Sequence, residues 1–361
     1  MQPSAPRIVS DIEGQSGSLA RVLQQHCGAG RAPLLEAAAL LRSSARSVVV
    51  GIGASLNASV ALENLLCARG YNSSCVEAGE FLHYRHETSR GAALVVVSRS
   101  GESIEIARLL SAVQGRAAII AVTSEPRSTL ARAADVVLEV RNLPDEMVAI
   151  QSYTGTLLTL YLLGMAVAQV LDEAQQEVEA LLQNFPGWIS ANLAEPSTWD
   201  AFLERDGPIY TLGRGPSLGS ALQGALLFNE IAKAPAVGMA VASFRHGPIE
   251  VVDQRFSGLV FAPQGRTRDL NLGLARDIVK FGGKVRLIGP DGSDGSGLQW
   301  IHTPPCAELL APLVEIVPVQ VAAMRLAQLR GIVVGSFRYA PQVTVDEACI
   351  AGPETRGTRN A

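Results

Sequence analysis

Ala93-Leu94-Val95-Val96-Val97-Ser98-Arg99-Ser100-Gly101-Glu102-Ser103 opens on an unbroken apolar run and closes on hydroxyls around a glycine. An apolar run without alternation is the pattern of a strand covered on both faces, as in a parallel sheet. The hydroxyl-rich turn that follows it, and the amphipathic segment to residue 113, predict a helix start. The same order flanks this stretch. Ser47-Val48-Val49-Val50 leads into Gly51-Ile52-Gly53-Ala54-Ser55 and a helix to residue 69, and residues 118–123 form a third apolar run. Strand, Gly/Ser loop and helix in alternation predict an α/β fold on a parallel sheet.

The pattern then returns. Ile209–Leu212 leads into Gly213-Arg214-Gly215-Pro216-Ser217 and a helix; residues 259–262 and 285–288 are further apolar runs. Sliding Gly213 onto Gly51 also superposes Gly215 on Gly53, Ser217 on Ser55 and Leu218 on Leu56. Two copies of one α/β unit are therefore expected. The expected divisions are an N-terminal helical segment (1–45, its helix over 16–41), a first α/β domain (46–170) and a Trp-containing helical connector (171–205). A second α/β domain (206–335), ending in a long helix over 307–330, and a tail rich in Pro, Gly and charge (336–361) complete the chain.

Length and composition agree with this plan. A chain of 361 residues, 48% hydrophobic, can bury a core in each of two domains. The net charge of −4, with no basic stripe, argues against a nucleic-acid partner. The five cysteines are scattered without a CxxC pair, which gives no zinc or disulfide framework and fits a reducing cytoplasm. Residues 1–7 carry two prolines and no apolar run, unlike a signal peptide. The apolar stretch 154–171 holds three threonines, two glycines and a glutamine, and reads as a helix buried between layers, not as a membrane span.

Several residues carry candidate chemistry. The loop Ser98–Ser103 gathers hydroxyls and free backbone N–H groups at a helix N-terminus, which favours a phosphate; a plain N-cap cluster explains it equally well on its own. Gly51–Ser55 offers the same chemistry from the neighbouring strand. A lone Gly-x-Gly without the third glycine is poor evidence for a dinucleotide site. Glu230, in Asn229-Glu230-Ile231-Ala232-Lys233, sits where a carboxylate opposes the helix dipole. It is either an i,i+3 partner of Lys233 or a functional acid. His246, in Arg245-His246-Gly247-Pro248, is placed on a loop, where it is either solvated or functional.

Taken together, Gly53-Ala54-Ser55, Ser98–Ser103, Leu212–Gly215, Gly224-Ala225-Leu226, Asn229-Glu230-Ile231 and His246-Gly247-Pro248 resemble the sugar isomerase (SIS) family. Within it, the pattern is similar to the isomerase half of the glutamine–fructose-6-phosphate aminotransferases and to the SIS deglycases and deaminases. The likeness extends to Ala78-Gly79-Glu80-Phe81, Tyr84-Arg85 and Val343-Thr344-Val345. It implies two tandem SIS domains, each a three-layer αβα sandwich on a parallel sheet of flavodoxin-like order. It implies a ligand cradle at Ser55, Ser98, Arg99, Ser100, Ser103 and Ala149, and a homodimer. It makes Glu230 the base between C1 and C2, and makes His246 the ring-opening acid/base, reaching in from the second subunit. No cofactor or metal is implied.

Departures from the pattern narrow the reaction. Gln223 stands where the aminotransferases have Glu, Leu227 where they have Lys, and Pro341 where they have the Schiff-base lysine; residue 2 is Gln in place of the glutaminase cysteine. The only lysines are Lys233, Lys280 and Lys284, and arginine cannot serve as an imine-forming amine because it stays protonated. The expectation is a cytoplasmic isomerase or amine-releasing deaminase/deglycase acting on a hexose 6-phosphate or amino-sugar phosphate. The alternative is a sugar-phosphate sensor without turnover.

Overall fold

The computed structural model describes residues 7–204, 207–290, 298–334, 337–339 and 343–348. In chain order the elements are α1 (Arg7–Cys27), α2 (Arg31–Ser43), β1 (Ser47–Gly51), α3 (Ala54–Ala68), β2 (Ser73–Glu77), a single turn α4 (Ala78–Glu80), β3 (Ala93–Val97), α5 (Ile104–Val113), β4 (Ala118–Thr123), α6 (Thr129–Ala133), β5 (Val136–Glu139), α7 (Gln151–Val167) and α8 (Leu171–Ala194). The second half continues with α9 (Asp200–Leu203), β6 (Ile209–Gly213), α10 (Ser217–Ala232), β7 (Ala236–Ala240), α11 (Val241–Arg245), β8 (Ser257–Phe261), α12 (Arg268–Lys280), β9 (Lys284–Gly289), β10 (Gln299–His302) and α13 (Ala311–Leu329).

Each half forms a five-stranded sheet, in the orders β2-β1-β3-β4-β5 and β7-β6-β8-β9-β10. Every pairing is parallel. The two orders are the same order, so the repeat legible in the sequence is a repeat of topology. In both sheets the chain reverses direction beside the first strand, which opens a crevice at the strand C-termini. That crevice is flanked by the loops after β1 and β3 in the first half.

The central strands β1, β3 and β8 are buried at every residue, as their unbroken apolar runs predict. The four strands absent from the sequence expectation are β2, β5, β7 and β10, the edges of the two sheets. Ser73-Ser74-Cys75-Val76-Glu77 is only partly buried and carries too little apolar side chain to announce itself. The expected helix over 16–41 is two helices, because Gly28 and Gly30 break it: the Gly30 N–H turns back onto the Gln25 carbonyl at 2.7 Å. Helix α8 tolerates Pro186 in its interior.

All of α7 is buried, packed on α1, α2 and α3. This explains its threonine content: Thr154 and Thr159 hydroxyls donate to carbonyls one turn back, so the helix supplies its own partners. Helix α13 is the one described helix long and apolar enough to cross a membrane, and most of it is buried inside the protein. The two halves meet through α3 and α10, the matching first helices of the repeat. A Cβ at Gly219 would lie 2.5 Å from the Asn57 carbonyl oxygen, so glycine permits that close approach.

Candidate active site

The two loops of the crevice are shaped by their own side chains and glycines. After β3, the Ser98 hydroxyl accepts the Gly101 N–H at 3.1 Å and the Ser100 hydroxyl accepts the Glu102 N–H at 3.3 Å. Gly101 has φ +63°, and a Cβ there would lie 2.2 Å from Ser128 Oγ, so only glycine fits. The Glu102 carboxylate is turned away, accepting from Thr129 N–H and Oγ1 at 2.6 and 2.7 Å. This leaves Ser103 to begin α5 with its hydroxyl uncommitted to a cap. Ser55, Ser98, Arg99, Ser100 and Ser103 line one pocket of about 140 Å³.

A second cavity of about 230 Å³ shares Ile52, Ser55 and Arg99 with the first and extends to Ala149, Ser152, Tyr153, Thr156, Leu226, Phe337 and Glu230. Thus Ser55, Ser98, Arg99, Ser100, Ser103, Ala149 and Glu230 line two adjoining pockets of the crevice. Burial pushes the Glu230 carboxyl up to about 7, against the opposing pull of the Lys233 and Arg99 charges. Lys233 ends α10 in the left-handed conformation, φ 50°. Its Nζ donates to the Glu230 backbone carbonyl and lies 5.5 Å from the Phe337 ring centre, and burial lowers its pKa.

His246 is not among the residues lining this cavity. It caps α11 on an exposed loop ahead of Gly247, φ 121°. Of the four departures noted above, Leu227 and Gln223 are fully buried. The Gln223 amide oxygen accepts from Asn57 Nδ2 at 3.0 Å, across the α3–α10 contact. Pro341 and residue 2 lie outside the described residues. No group of three or more His, Cys, Asp or Glu side chains among the described residues is placed to hold a metal ion.

Groups the sequence did not disclose also shape the surroundings of the crevice. Asp145 accepts the Gln151 and Ser152 N–H groups at 2.6 and 3.0 Å, together with the Ser152 hydroxyl. It thereby pins the start of α7, where a carboxylate meets the positive helix end, and fixes the 147–152 wall of the cavity. Phe337 arrives from beyond α13, and seven residues later the chain crosses the first half. There the Ile104 N–H, in the first turn of α5, donates to the Thr344 carbonyl at 3.0 Å. Glu347 is held by His83 at 2.6 Å and Arg108 at 2.5 Å. These are contacts between residues hundreds of positions apart, which no local pattern encodes.

The SIS domain family model matches this chain twice, over residues 40–168 and 202–328. The chain belongs to the SIS domain family. The two matches fall on the two sheets, so the tandem αβα arrangement and the family agree. Among relatives of known sequence, the glutamine–fructose-6-phosphate aminotransferase of Zymomonas mobilis is 30% identical over 290 residues, covering 75% of this chain and 47% of that protein. That of Pyrobaculum aerophilum is 28% identical over 334 residues, covering 90% and 55%. The chain thus spans about half the length of the curated relatives it matches. Among solved structures, the C-terminal domain of glucosamine-fructose-6-phosphate aminotransferase from Francisella tularensis superposes with a TM-score of 0.78 at 20% identity, covering 91% of this chain and 97% of that one. The tagatose-6-phosphate ketose/aldose isomerase of Escherichia coli gives 0.76 at 19% identity, covering 95% and 98%. These two structural likenesses carry the fold.

Proposed function

We propose that this SIS protein is an enzyme that binds a hexose 6-phosphate or amino-hexose 6-phosphate and moves a proton between neighbouring carbons, as an aldose–ketose isomerase or an amine-releasing deaminase/deglycase. The observation that carries this reading is the adjacency of the two pockets: an anion-type loop lines one, and the other holds a carboxyl whose pKa near 7 suits a base that must both take and return a proton. The phosphate would rest on the hydroxyls of Ser55, Ser98, Ser100 and Ser103, with Arg99 beside it. The opened sugar would then lie along Ala149 and Ser152 toward Glu230. His246, exposed in its own chain, would act on a second subunit of a homodimer. A substrate that carries its own nitrogen needs no lysine, which fits Leu227 in the core.

Leu227 and Gln223, buried and uncharged where the aminotransferase pattern has Lys and Glu, favour a second reading: a sugar-phosphate-binding sensor without turnover. One experiment separates the two. The protein is incubated in deuterated water with a panel of hexose and amino-hexose 6-phosphates, and C1/C2 exchange and amine release are followed. Exchange or release supports the enzyme. Tight binding with neither, across the panel, overturns it in favour of the sensor.

A further inference from the structure

The two pockets of the crevice are joined at a wall made of Ile52, Ser55 and Arg99. Only the last of these carries charge. Its guanidinium stays charged, so it answers a neighbouring anion by Coulomb attraction and hydrogen-bond donation without giving up a proton. We propose that Arg99 is a positioning residue that ties occupation of the phosphate-loop pocket to the charge on Glu230: an anion settling on the loop draws on the guanidinium, and a proton is taken up at the carboxyl. This rests on the reading of the Ser98–Ser103 loop as the phosphate site. Its consequence is that the phosphate does more than anchor the ligand. It makes Glu230 a stronger base only when a phosphate-bearing ligand is in place, and an unphosphorylated sugar meets a weaker one.

The other charged groups around Glu230 leave room for this coupling. Lys233 follows it on α10, its pKa lowered by burial and by the nearby Arg338 charge. Asp145 faces Arg99 from beyond it and feels its charge. On α7, Tyr153 is a fully buried phenol whose pKa is driven upward by burial. On α13, Glu315 is held by Ser217 and Ser220 at the opposite end of α10, and Arg325 is paired with Asp200. On α3, Glu63 accepts the Cys75 N–H, and on β6, Tyr210 is packed among Phe244 and Phe256. Arg99 is the cation common to both pockets.

The test uses sulfate, which has no proton of its own to exchange near neutral pH, with the intact chain. Binding heats are measured at pH 7.5 in buffers of different ionisation enthalpy. A rise of about one unit in the Glu230 pKa corresponds to uptake of about half a proton per sulfate. Glu230→Gln should abolish the uptake, Arg99→Gln should diminish it at saturating sulfate, and Arg99→Lys should retain it. A carbon-13 titration of the Glu230 carboxyl with and without sulfate reads the same shift in the unmutated protein. Sulfate binding without uptake, or uptake undiminished in Arg99→Gln, overturns the coupling while leaving the phosphate site standing. Failure of both sulfate and hexose 6-phosphates to bind overturns the loop assignment itself.

Discussion

After β1 the chain turns through Gly51–Ser55 and leaves the start of α3 facing the crevice. After β6 the matching turn, Gly213–Ser217, leads into α10, where the hydroxyls of Ser217 and Ser220 are taken by a carboxyl group of the same chain. They donate to Glu315 of α13 at 3.0 and 3.1 Å, and all three residues are fully buried. A helix N-terminus asks for negative charge. The first half leaves that helix end open, while in the second a carboxyl of the same chain occupies it, as a neutral acid below about pH 8. The difference teaches why a molecule with two copies of one fold presents its hydroxyl-lined crevice in the first. It also shows what Glu315 is for: burial pushes its carboxyl up to about 8, a cost accepted where two hydroxyls and a helix end receive it.

The comparison can be tested from either side. The largest effect is expected in the open half. Glu230→Gln keeps the shape and removes the base, so turnover should fall by about two or more orders of magnitude with sugar-phosphate affinity nearly intact. His246→Asn should do likewise, and mixing the two inactive proteins should restore activity if the histidine acts across subunits. Steady-state kinetics with parallel binding measurements check this, and full activity in Glu230→Gln would end the assignment.

In the closed half the effect is on stability. Glu315→Ala strands two buried hydroxyls and leaves a void, at a cost of about 2–4 kcal/mol by denaturant unfolding. The carboxyl also sets a pH dependence. Its folded pKa, about 8, lies above its ordinary value of 4.5, so its stabilising contribution is complete below about 4.5 and is lost as pH rises through about 8. Glu315→Gln should therefore gain in thermal stability relative to the wild type between about pH 5 and about pH 9. A constant gap would show the carboxyl ionised throughout.

The smallest effect returns to the open loop. Ser100→Ala with Ser103→Ala should raise the dissociation constant for hexose 6-phosphates about tenfold, near 1.4 kcal/mol. Unchanged affinity in a calorimetric titration would move the phosphate elsewhere and remove the asymmetry between the halves.

What could be read beforehand follows the range of the interactions. The buried central strands and the repeat were legible because Val48–Val50 and Leu94–Val97 are continuous apolar runs, and hydroxyls after a strand speak for themselves. Edge strands such as Ser73–Glu77 were not, since partial burial asks little of their side chains. Tyr153 and Phe337 reach the crevice only through tertiary packing. Glu315 did leave a trace: a lone carboxylate in the middle of the otherwise uncharged run 311–324 demands an internal partner. His246 lies on the loop that its Gly-Pro neighbours require, and its chemistry waits on the second subunit proposed above.

The strand of chain carrying Phe337, Thr344 and Glu347 has a consequence in time. Its bonds to Ile104, Arg108 and His83 span up to 264 residues and enclose the whole second half in one loop. Contacts of such separation are the slowest to gather, although the entropy of closing so long a loop grows only with its logarithm. Both sheets can form from nearer neighbours beforehand. In refolding, secondary structure should therefore return before ligand binding does, with the crevice walled last.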